Sequence, residues 1–487
     1  MLKQVTLEGE QTKVLFLPPL NPIQIKGVAG SGKTTVALYR AQHLLENYAD
    51  MFRKGNIAIF TFNKTLAGYI SALTSMNHSA ASEGEIQVTN FHSWAWHFLF
   101  ENGNTLVKRT ISGGSQIGLL TRAINSLPES MRQEPIMAKS VEFFREEISW
   151  IKGKLFKEFD EYLDAKRTGR GTSDRVTQKD KETIWEVYEA YQSTLKSLRH
   201  IDFDDFAPLA LEIIESDPEF RAPFTHIVID EAQDLNKAQV LVLARLVDSD
   251  KNSISVIADA AQRIYKSGFT WSEVGINVRG GRTIEFKKNY RNTLGIVAAA
   301  ASLLAHDSDS DDFTKIEPHS SDAKKPSLDG YRFEGEELMA VSASILQVSR
   351  EYPADSICVL HRVNLGIQRI GEALRNVGLK TMVINGNAEV NYNDETIKLS
   401  TMSSIKGLEF DHVFIVGLGE QFIPAPAGFS EPGDELHVST ERRLLYTSMT
   451  RACKSLHLSY HGQPSRYLNE IEPDLLETGE GHAVTYV

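Results

Sequence analysis

Short runs of β-branched and other apolar residues alternate with helical patterns in two separate blocks of the chain. The first block contains NIAIFTF (56–62), IQVTNF (86–91), HIVIDE (226–231) and SISVIAD (253–259). The second block contains RTIEF (282–286), SICVLH (356–361), KTMVIN (380–385), IKLSTM (397–402), HVFIVGL (412–418) and SLHLSY (455–460). Helical patterns such as TTVALYRAQHLLENY (34–48) and GIQRIGEALRNVG (366–378) lie between most of these runs. Strands that alternate with helices form parallel sheets covered on both faces, so the pattern predicts an α/β fold with two such sheets.

A region of different character interrupts the first block. Residues 97–199 are rich in charged and aromatic side chains and contain no clear strand, which predicts a helical insertion. The polar segment 306–329 is predicted to be a loop. With 487 residues the chain is long enough for about three compact units. We therefore predict a first sheet domain over 1–96 and 200–281, the insertion over 97–199, a second sheet domain over 282–475 and a tail over 476–487.

Composition and charge are those of a globular protein in a reducing compartment. Apolar residues make up 41% of the chain and charged residues 24%. No uncharged apolar run is long enough to span a bilayer, and the N-terminus lacks the apolar stretch of a signal peptide. Cys358 and Cys453 form no CxxC or Cys/His cluster, so we predict a cytoplasmic protein without a membrane span or zinc. The net charge of −12 still permits a locally basic groove for nucleic acid.

The clearest chemical motif is GVAGSGKT (27–34), which fits the phosphate-binding pattern G-x-x-x-x-G-K-[ST] at every fixed position. It follows an apolar stretch and opens a helical pattern, which is the context that the motif requires. Its glycines let backbone N–H groups point at phosphates, and the helix N-terminus favours negative charge. We expect Lys33 to neutralise the β- and γ-phosphates and Thr34 to bind Mg²⁺. The remaining nucleotide-binding candidates of the motif are Gly27, Ala29, Gly30, Ser31 and Gly32.

A second motif, HIVIDEAQD (226–234), is an apolar strand that ends in two adjacent carboxylates. The end of the strand would bring Asp230 beside the phosphate loop, where it can hold Mg²⁺. Glu231 would then orient and deprotonate the attacking water. Two acidic residues after a strand usually lie in an exposed loop without a catalytic role. The presence of GVAGSGKT in the same block of the chain favours a catalytic role for these two. Together the two motifs predict a nucleoside triphosphatase.

The order of the remaining motifs resembles the UvrD/Rep/PcrA branch of superfamily 1 helicases. The segments that carry the resemblance are LEGEQTKVLF (7–16), IFTFNKTLAGYI (59–70), VTNFHSWAW (88–96), RHIDFDDF (199–206), IADAAQRIY (257–265), FKKNYRNT (286–293), LSTMSSIKGLEFDHVFIVGL (399–418), ERRLLYTSMTRACKSL (441–456) and PSRYLNEI (464–471). They cover both ends and most of the middle of the chain. The resemblance implies two RecA-like motor domains, with a helical insertion in the first, that use ATP and Mg²⁺ to move along single-stranded DNA.

The resemblance also implies how the nucleoside is bound. Gln11 would read the edge of adenine, Tyr290 would stack on its face, and Glu409 would bond the ribose. Thr35 stands where many relatives have an arginine near the base, so the grip on adenine would be looser.

By the same resemblance, two cations of the second domain would act on the phosphates. Arg291 and Arg451 would be arginine fingers that face Lys33 across the cleft between the domains. Gln262 would link the γ-phosphate to the DNA. ATP would then pull the two domains together and hydrolysis would release them, which is the power stroke.

A path for a single strand requires aromatic faces for the bases and polar groups for the phosphates. The stacking candidates are Phe62, His92 and Trp271, and the phosphate candidates are Asn63, Thr89 and Ser403. Trp94 lies in the same region, but an aromatic residue near a strand more often packs in the core, and we favour packing for it.

Two departures from the family leave several functions open. Only about ten residues, 386–395, stand where larger relatives insert a helical subdomain called 2B that contacts duplex, so processive unwinding is in doubt. The segment IYKSGFTWSEVG (264–275) lacks the Gly-Trp-Arg-Gly ending of its motif. The leading hypothesis is a 3′→5′ translocase or helicase that binds single-stranded DNA or a 3′-tailed duplex. The alternatives are a DNA-sensing ATPase that controls a partner such as a nuclease, and an RNA helicase.

Overall fold

The computed structural model describes residues 7–48, 55–61, 84–165, 176–248, 252–259, 269–278, 280–307, 315–384, 396–425 and 435–478. The strands are β1 (Ile23–Gly27), β2 (Gly55–Thr61), β3 (Gly84–Asn90), β4 (Thr110–Ile111), β5 (Ile201–Asp202), β6 (His226–Ile229), β7 (Ile254–Ala258), β8 (Thr283–Phe286), β9 (Lys288–Asn289), β10 (Glu317–Pro318), β11 (Ser327–Tyr331), β12 (Ile357–His361), β13 (Thr381–Ile384), β14 (Ile397–Thr401), β15 (Phe410–Ile415), β16 (Ala452–His461) and β17 (Glu477–Thr478). The helices are α1 (Glu10–Lys13), α2 (Lys33–Tyr48), α3 (Phe91–Glu101), α4 (Gly113–Ser126), α5 (Glu129–Arg132), α6 (Val141–Lys154), α7 (Phe159–Asp164), α8 (Gln178–Leu198), α9 (Phe206–Ser216), α10 (Lys237–Arg245), α11 (Leu294–Leu304), α12 (Glu334–Glu351), α13 (Asn364–Asn376) and α14 (Glu435–Met449). Helices follow many of the strands, as the sequence pattern predicts.

The first large sheet is parallel, with the strand order β3-β2-β6-β7-β1-β8. Neighbouring residues of a strand point to opposite faces, so Ile59 and Phe60 of β2 enter two different cores. Ile59 packs in the core that contains the buried residues of α2, and Phe60 in the core that contains those of α9 and α10. Coverage on both faces explains why the runs in this block are continuously apolar.

The parallel direction of the strands gathers polar residues at one edge of this sheet. The carboxyl ends of β1, β6 and β7 lie close together because β7 is hydrogen-bonded to both of the others. The phosphate loop follows β1, Asp230 and Glu231 follow β6, and Asp259 follows β7. The fold thereby brings two motifs about 200 residues apart in the chain into one site.

The segment between β3 and β6 is mainly helical, as predicted. Its core contains buried aromatic and aliphatic residues of α4, α6, α7 and α8, including Leu120, Phe144, Tyr162 and Trp185. One detail of the prediction is wrong, because β4 lies within the part that we expected to lack strands and pairs with β5 in a short parallel ladder. A two-residue strand is too short to leave a periodic pattern in the sequence.

The second large sheet is also parallel, with the strand order β13-β14-β12-β15-β16-β11-β17. The helices α12 and α13 cover one face, where Val359 and Phe414 are buried. The helices α11 and α14 cover the other face, where Leu360 and Ile415 are buried. This arrangement confirms the predicted α/β class with two parallel sheets. Within the described ranges, no helix combines the length and the apolar character needed to cross a membrane.

Two assignments made from the sequence are wrong. RTIEF (282–286) was expected in the second sheet, but β8 pairs with β1 at the edge of the first sheet, with Ile284 beside Ile25. A four-residue alternating strand has the same pattern in either sheet, so its position depends on tertiary packing. The segment 306–329 was expected to be a loop, but it contains β10 and the beginning of β11. The polar composition of β11 concealed the strand, in which Leu328 is buried.

Candidate nucleotide pocket and nucleic-acid surface

The phosphate loop connects β1 to α2 and is shaped by its glycines. Gly30 and Gly32 have φ angles of 69° and 79°, which glycine adopts without strain. A Cβ atom on Gly27 would lie 2.6 Å from Ser31 Oγ and 2.9 Å from Lys33 Cγ, so a larger residue would not fit. The Lys33 ammonium lies inside the loop and donates hydrogen bonds to the carbonyl oxygens of Gly27 at 3.0 Å and Val28 at 2.8 Å. The ammonium of Lys33 therefore lies within the turn that these glycines form.

The two motifs meet at the start of α2. Thr34 Oγ1 donates a hydrogen bond to Asp230 Oδ2 at 2.8 Å, and Lys33 Nζ is 3.0 Å from Asp259 Oδ2. Asp230 is 1% exposed. Burial, followed by the charge of Glu231, raises the pKa of Asp230 to about 7. A hydroxyl and a carboxylate side by side are oxygen ligands of the kind that Mg²⁺ prefers, so these residues fit the cation that the motifs imply.

Glu231 is in a different electrostatic environment from its neighbour. Burial raises its pKa, but the charges of Lys406, Lys33 and Arg451 outweigh that effect and hold the pKa below its ordinary value. Its backbone has a φ angle of 54°, a conformation that is strained for a residue other than glycine. The carboxylate accepts a hydrogen bond from Gln233 Nε2. The two acids thus have opposite pKa shifts, and Glu231 remains an ionised acceptor at neutral pH.

The second domain completes the same pocket. The lining residues are Gly30, Ser31, Gly32, Lys33, Thr34, Glu231, Arg291, Gly407 and Arg451. Arg451 is 1% exposed and donates to the carbonyl oxygen of Thr447 at 2.9 Å. Burial and then the nearby Arg291 lower the pKa of Arg451 to about 10, so the Arg451 guanidinium stays charged at neutral pH. Arg291 forms an ion pair with Glu409. The structure therefore brings the two predicted arginines to the phosphate loop.

The candidates for nucleoside binding lie at one side of this pocket. Gln11 is 5% exposed, and its Nε2 donates to the carbonyl oxygen of Ser31 at 2.8 Å. Tyr290 donates its backbone N–H to the carbonyl oxygen of Gly30 at 2.9 Å. Its hydroxyl lies 3.5 Å from the position that a Cβ on Gly9 would take. Thr35 is half-buried on α2. Gln11 and Tyr290 are therefore both anchored to the phosphate loop.

Family models match almost the whole described chain. The UvrD/REP helicase N-terminal domain matches residues 7–274, which is more than half of the chain. The UvrD-like helicase C-terminal domain matches residues 284–388 and 385–463. The chain belongs to the UvrD/REP helicase family. This agrees with the resemblance drawn from its motifs.

Individual relatives are 22% to 28% identical to this UvrD/REP family member over the aligned residues. The ATP-dependent DNA helicase PcrA of Leuconostoc citreum is 28% identical over 75% of this chain and 48% of the relative. The ATP-dependent DNA helicase UvrD2 of Mycobacterium tuberculosis is 22% identical over 95% of this chain and 81% of the relative. DNA helicase II of Rickettsia typhi is 27% identical over 78% of this chain and 57% of the relative. The chain thus spans about half the length of the PcrA and DNA helicase II relatives.

The nucleic-acid candidates of this family member have mixed outcomes. Phe62, Asn63 and Gln262 lie outside the described residues. Thr89 is half-buried and Ser403 is exposed. Trp271 is partly buried and packs edge-on against Phe269 beside the core of the first sheet. Trp94 is 9% exposed and stacks on Phe98 with a ring-centroid distance of 4.9 Å, which confirms the packing role that we favoured.

His92 leads to an aromatic surface that the sequence did not single out. Burial lowers the pKa of His92 to about 4, so the ring is neutral at physiological pH. Its edge meets the ring of Phe203 at a centroid distance of 5.3 Å. Phe203 is 44% exposed and therefore offers a face to solvent. The turn that carries it is capped by Asp202 Oδ1, which accepts from Asp204 N at 3.0 Å. The sequence signal for this surface was a phenylalanine set among aspartates in DFDD (202–205).

Lys406 is a further site residue that sequence reasoning missed. It comes from the second domain, is 1% exposed, and lies 2.5 Å from Asp234 Oδ2 and 3.5 Å from Glu231 Oε2 of the first domain. Burial lowers its pKa, but Asp234 and then Glu231 outweigh that effect and raise it. Lys406 therefore joins the two domains directly at Glu231. No local pattern in the sequence identifies it, because both of its carboxylate partners come from the first domain.

Proposed function

We propose that this chain is an ATP-dependent translocase or helicase that moves 3′→5′ on single-stranded DNA. The observation that carries the proposal is the pocket in which residues of two separate sheets meet. Lys33 and Glu231 come from the first domain, and Arg291 and Arg451 come from the second. A nucleotide that contacts both sides can draw the domains together, and its hydrolysis can release them.

Each charged group of the pocket has a defined task in phosphoryl transfer. Lys33 binds the terminal phosphates, and Thr34 and Asp230 hold Mg²⁺, which neutralises phosphate charge when it is bound. Glu231 accepts the proton of the attacking water, because its low pKa keeps it ionised. Arg291 and Arg451 stabilise the negative charge that develops on the transferred group. Catalysis here is a matter of orientation and placed charge, since phosphoryl transfer needs little covalent help.

The two proposed arginine fingers, Arg291 and Arg451, are held in a pre-organised arrangement, which supports this proposal. Asn292 Nδ2 donates to the carbonyl oxygens of Thr450 at 3.0 Å and Ala452 at 2.5 Å, which flank Arg451. The residue that follows Arg291 thus ties the two arginine-bearing segments together. Pre-organised cations need little rearrangement when charge develops, and that is the source of their catalytic effect.

The DNA side of the proposal rests on the family and on exposed groups of the first domain. The names PcrA, UvrD2 and DNA helicase II describe DNA helicases, and the exposed ring of Phe203, packed against buried His92, offers an aromatic face suited to bases. The two matched parts of the C-terminal domain meet at residues 385–388, which supports the absence of a large 2B insertion. We therefore expect translocation to be stronger than duplex unwinding.

The polarity is tested by displacement of streptavidin from a biotinylated oligonucleotide. With ATP and Mg²⁺, a 3′→5′ motor removes streptavidin from a 5′-biotin and leaves it on a 3′-biotin. RNA oligonucleotides of the same sequence provide the comparison for the RNA helicase alternative. Equal displacement from both ends, or none from either end, would contradict the proposal.

The short form also supports a second candidate function, in which the ATPase acts on a partner such as a nuclease. The feature that favours it is the segment 386–395, only about ten residues long where larger relatives carry 2B. Strand displacement on a 3′-tailed duplex, measured beside the ATPase rate, separates the two. Brisk DNA-stimulated ATPase without displacement of strand or streptavidin would favour the partner-dependent ATPase.

A further inference from the structure

Arg40 is a fully buried cation that the proposed mechanism does not use. It lies on α2, seven residues after Lys33, and is 1% exposed. Its guanidinium faces the chain that follows α1, where it donates hydrogen bonds to several backbone carbonyl oxygens. The acceptors and distances are Val14 at 3.0 Å, Leu15 at 3.2 Å, Leu17 at 2.9 Å and Pro18 at 2.9 Å.

These contacts join two parts of the nucleotide pocket into one body. The helix that carries Arg40 begins at the phosphate loop, whereas the carbonyl groups belong to the segment directly after Gln11. Gln11 itself packs against the loop, because a Cβ on Gly32 would lie 2.5 Å from Gln11 Nε2. On its far side the same segment is bound by Ser253, whose Oγ donates to the carbonyl oxygen of Pro19. The position of Gln11 therefore depends on how segment 14–19 is held.

The chemistry of the contact calls for a guanidinium. Segment 14–19 contains Pro18 and Pro19 and is irregular after its first turn, so few of its carbonyl oxygens have partners in regular secondary structure. Arginine has five N–H donors in a planar fork and can serve several acceptors at once. Lysine carries a point charge on a flexible stem and cannot reproduce that geometry. A methionine would fill the volume but leave the carbonyl oxygens unpaired.

We infer that Arg40 is a positioning residue for base selection, because it holds Gln11 at the distance from the phosphate loop at which the amide can read adenine. The inference rests on the proposed use of ATP and deepens it. Arg40 does not touch the nucleotide. It acts through Gln11, and a change at Arg40 weakens the preference for adenine while leaving the phosphate contacts in place.

The test measures affinities of the full chain for fluorescent ATP and GTP analogues with Mg²⁺ and without DNA. Arg40→Lys is expected to weaken ATP binding about fivefold, the factor for one net hydrogen bond, and to leave GTP binding unchanged. Gln11→Ala is expected to show the same loss. The double variant should be no worse than Gln11→Ala, because both changes remove one contact. Arg369→Lys, at a half-exposed ion pair with Glu334, is the matched control and should match the parent.

A structural role alone gives a different result. If Arg40→Lys only loosens the fold, its melting temperature falls but the ratio of ATP to GTP affinity stays at the parent value, and the inference is overturned. Additive losses in the double variant, or a parent without preference for ATP, overturn it as well. If Arg40→Lys does not fold, Ser253→Ala replaces it, because this change loosens segment 14–19 from its other side. An unchanged ratio of ATP to GTP affinity in Ser253→Ala would then overturn the inference. A parent that prefers ATP but does not translocate speaks against the proposed function and leaves this inference intact.

Discussion

Replacing Lys406 by methionine removes the ammonium that joins the two domains at Glu231, the carboxylate proposed to accept the proton of water. The ion pairs at 2.5 Å to Asp234 and 3.5 Å to Glu231 lie among side chains that are 1% to 4% exposed. Removing one partner of a buried ion pair costs about 3–5 kcal/mol, because each remaining carboxylate loses a nearby cation in a site that excludes water. Both carboxylates can regain water when the domains separate. The loss therefore falls on domain closure rather than on the folding of either domain.

The magnitude follows from that energy. At about 1.4 kcal/mol for each factor of ten, the ratio of closed to open molecules falls by two to three and a half orders of magnitude. Lys406 is also the strongest of the charges that lower the pKa of Glu231, so that pKa rises in the variant. We expect a fall in kcat of about a hundredfold or more, and an acid limb of the pH–rate profile that moves to higher pH.

The assay is steady-state ATP hydrolysis at saturating single-stranded DNA, measured from acid to alkaline pH. Lys398→Met is the matched control, because Lys398 is a lysine of the second domain that is 4% exposed and bonded to Thr396 Oγ1 at 2.6 Å. The control should retain the kcat and the pH profile of the parent below its melting temperature. If Lys406→Met also kept at least half of the parent kcat with an unshifted acid limb, the reasoning about closure would be wrong.

Three further predictions concern single groups. Burial raises the pKa of Asp230 to about 7, so the folded state favours the protonated acid and loses stability as the pH rises through that value. In EDTA, Asp230→Asn should therefore raise Tm by about 2 °C or more at pH 8 and by less at pH 5. An equal change in Tm at both pH values would contradict the pKa shift. Arg451→Ala should lower kcat by about a thousandfold while fluorescent ATP still binds, so a tenfold loss or less would exclude a finger role. Phe203→Ala should weaken single-strand binding by about 1–3 kcal/mol in an anisotropy titration. The control is Phe333→Ala, which removes a phenylalanine of the second domain that is 57% exposed and should leave the binding free energy unchanged.

The nucleotide pocket could be predicted largely from the sequence, because its chemistry restricts residue types at short spacing. GVAGSGKT and the acids after β6 have defined contexts at strand ends, and the structure brings Thr34 and Asp230 within 2.8 Å. Lys406 could not be found this way. Its role arises from an ion pair with Asp234, 172 positions away in the chain, and local pattern carries no information about such a pair.

The errors in the fold have related physical causes. Thr283–Phe286 has the alternation of a strand, but which sheet it joins is decided by the edge of β1 that it covers. The sequence was equally ambiguous about which aromatic rings are exposed to solvent. Trp94 is buried in the core that contains Phe206, whereas Phe203 contacts the Phe206 ring and keeps a face toward solvent. Local periodicity predicts that a helix or strand exists, whereas the elements packed against it decide which of its side chains are exposed.

The central claim is that a nucleotide bound between two facing domains is coupled to a single strand of DNA. The most direct measurement is the rate of ATP hydrolysis with and without an oligonucleotide, using Glu231→Gln as the blank. We predict a large stimulation in the parent, and near-zero turnover with retained nucleotide binding in the variant. A parent rate that is the same with and without the single strand would contradict the claim.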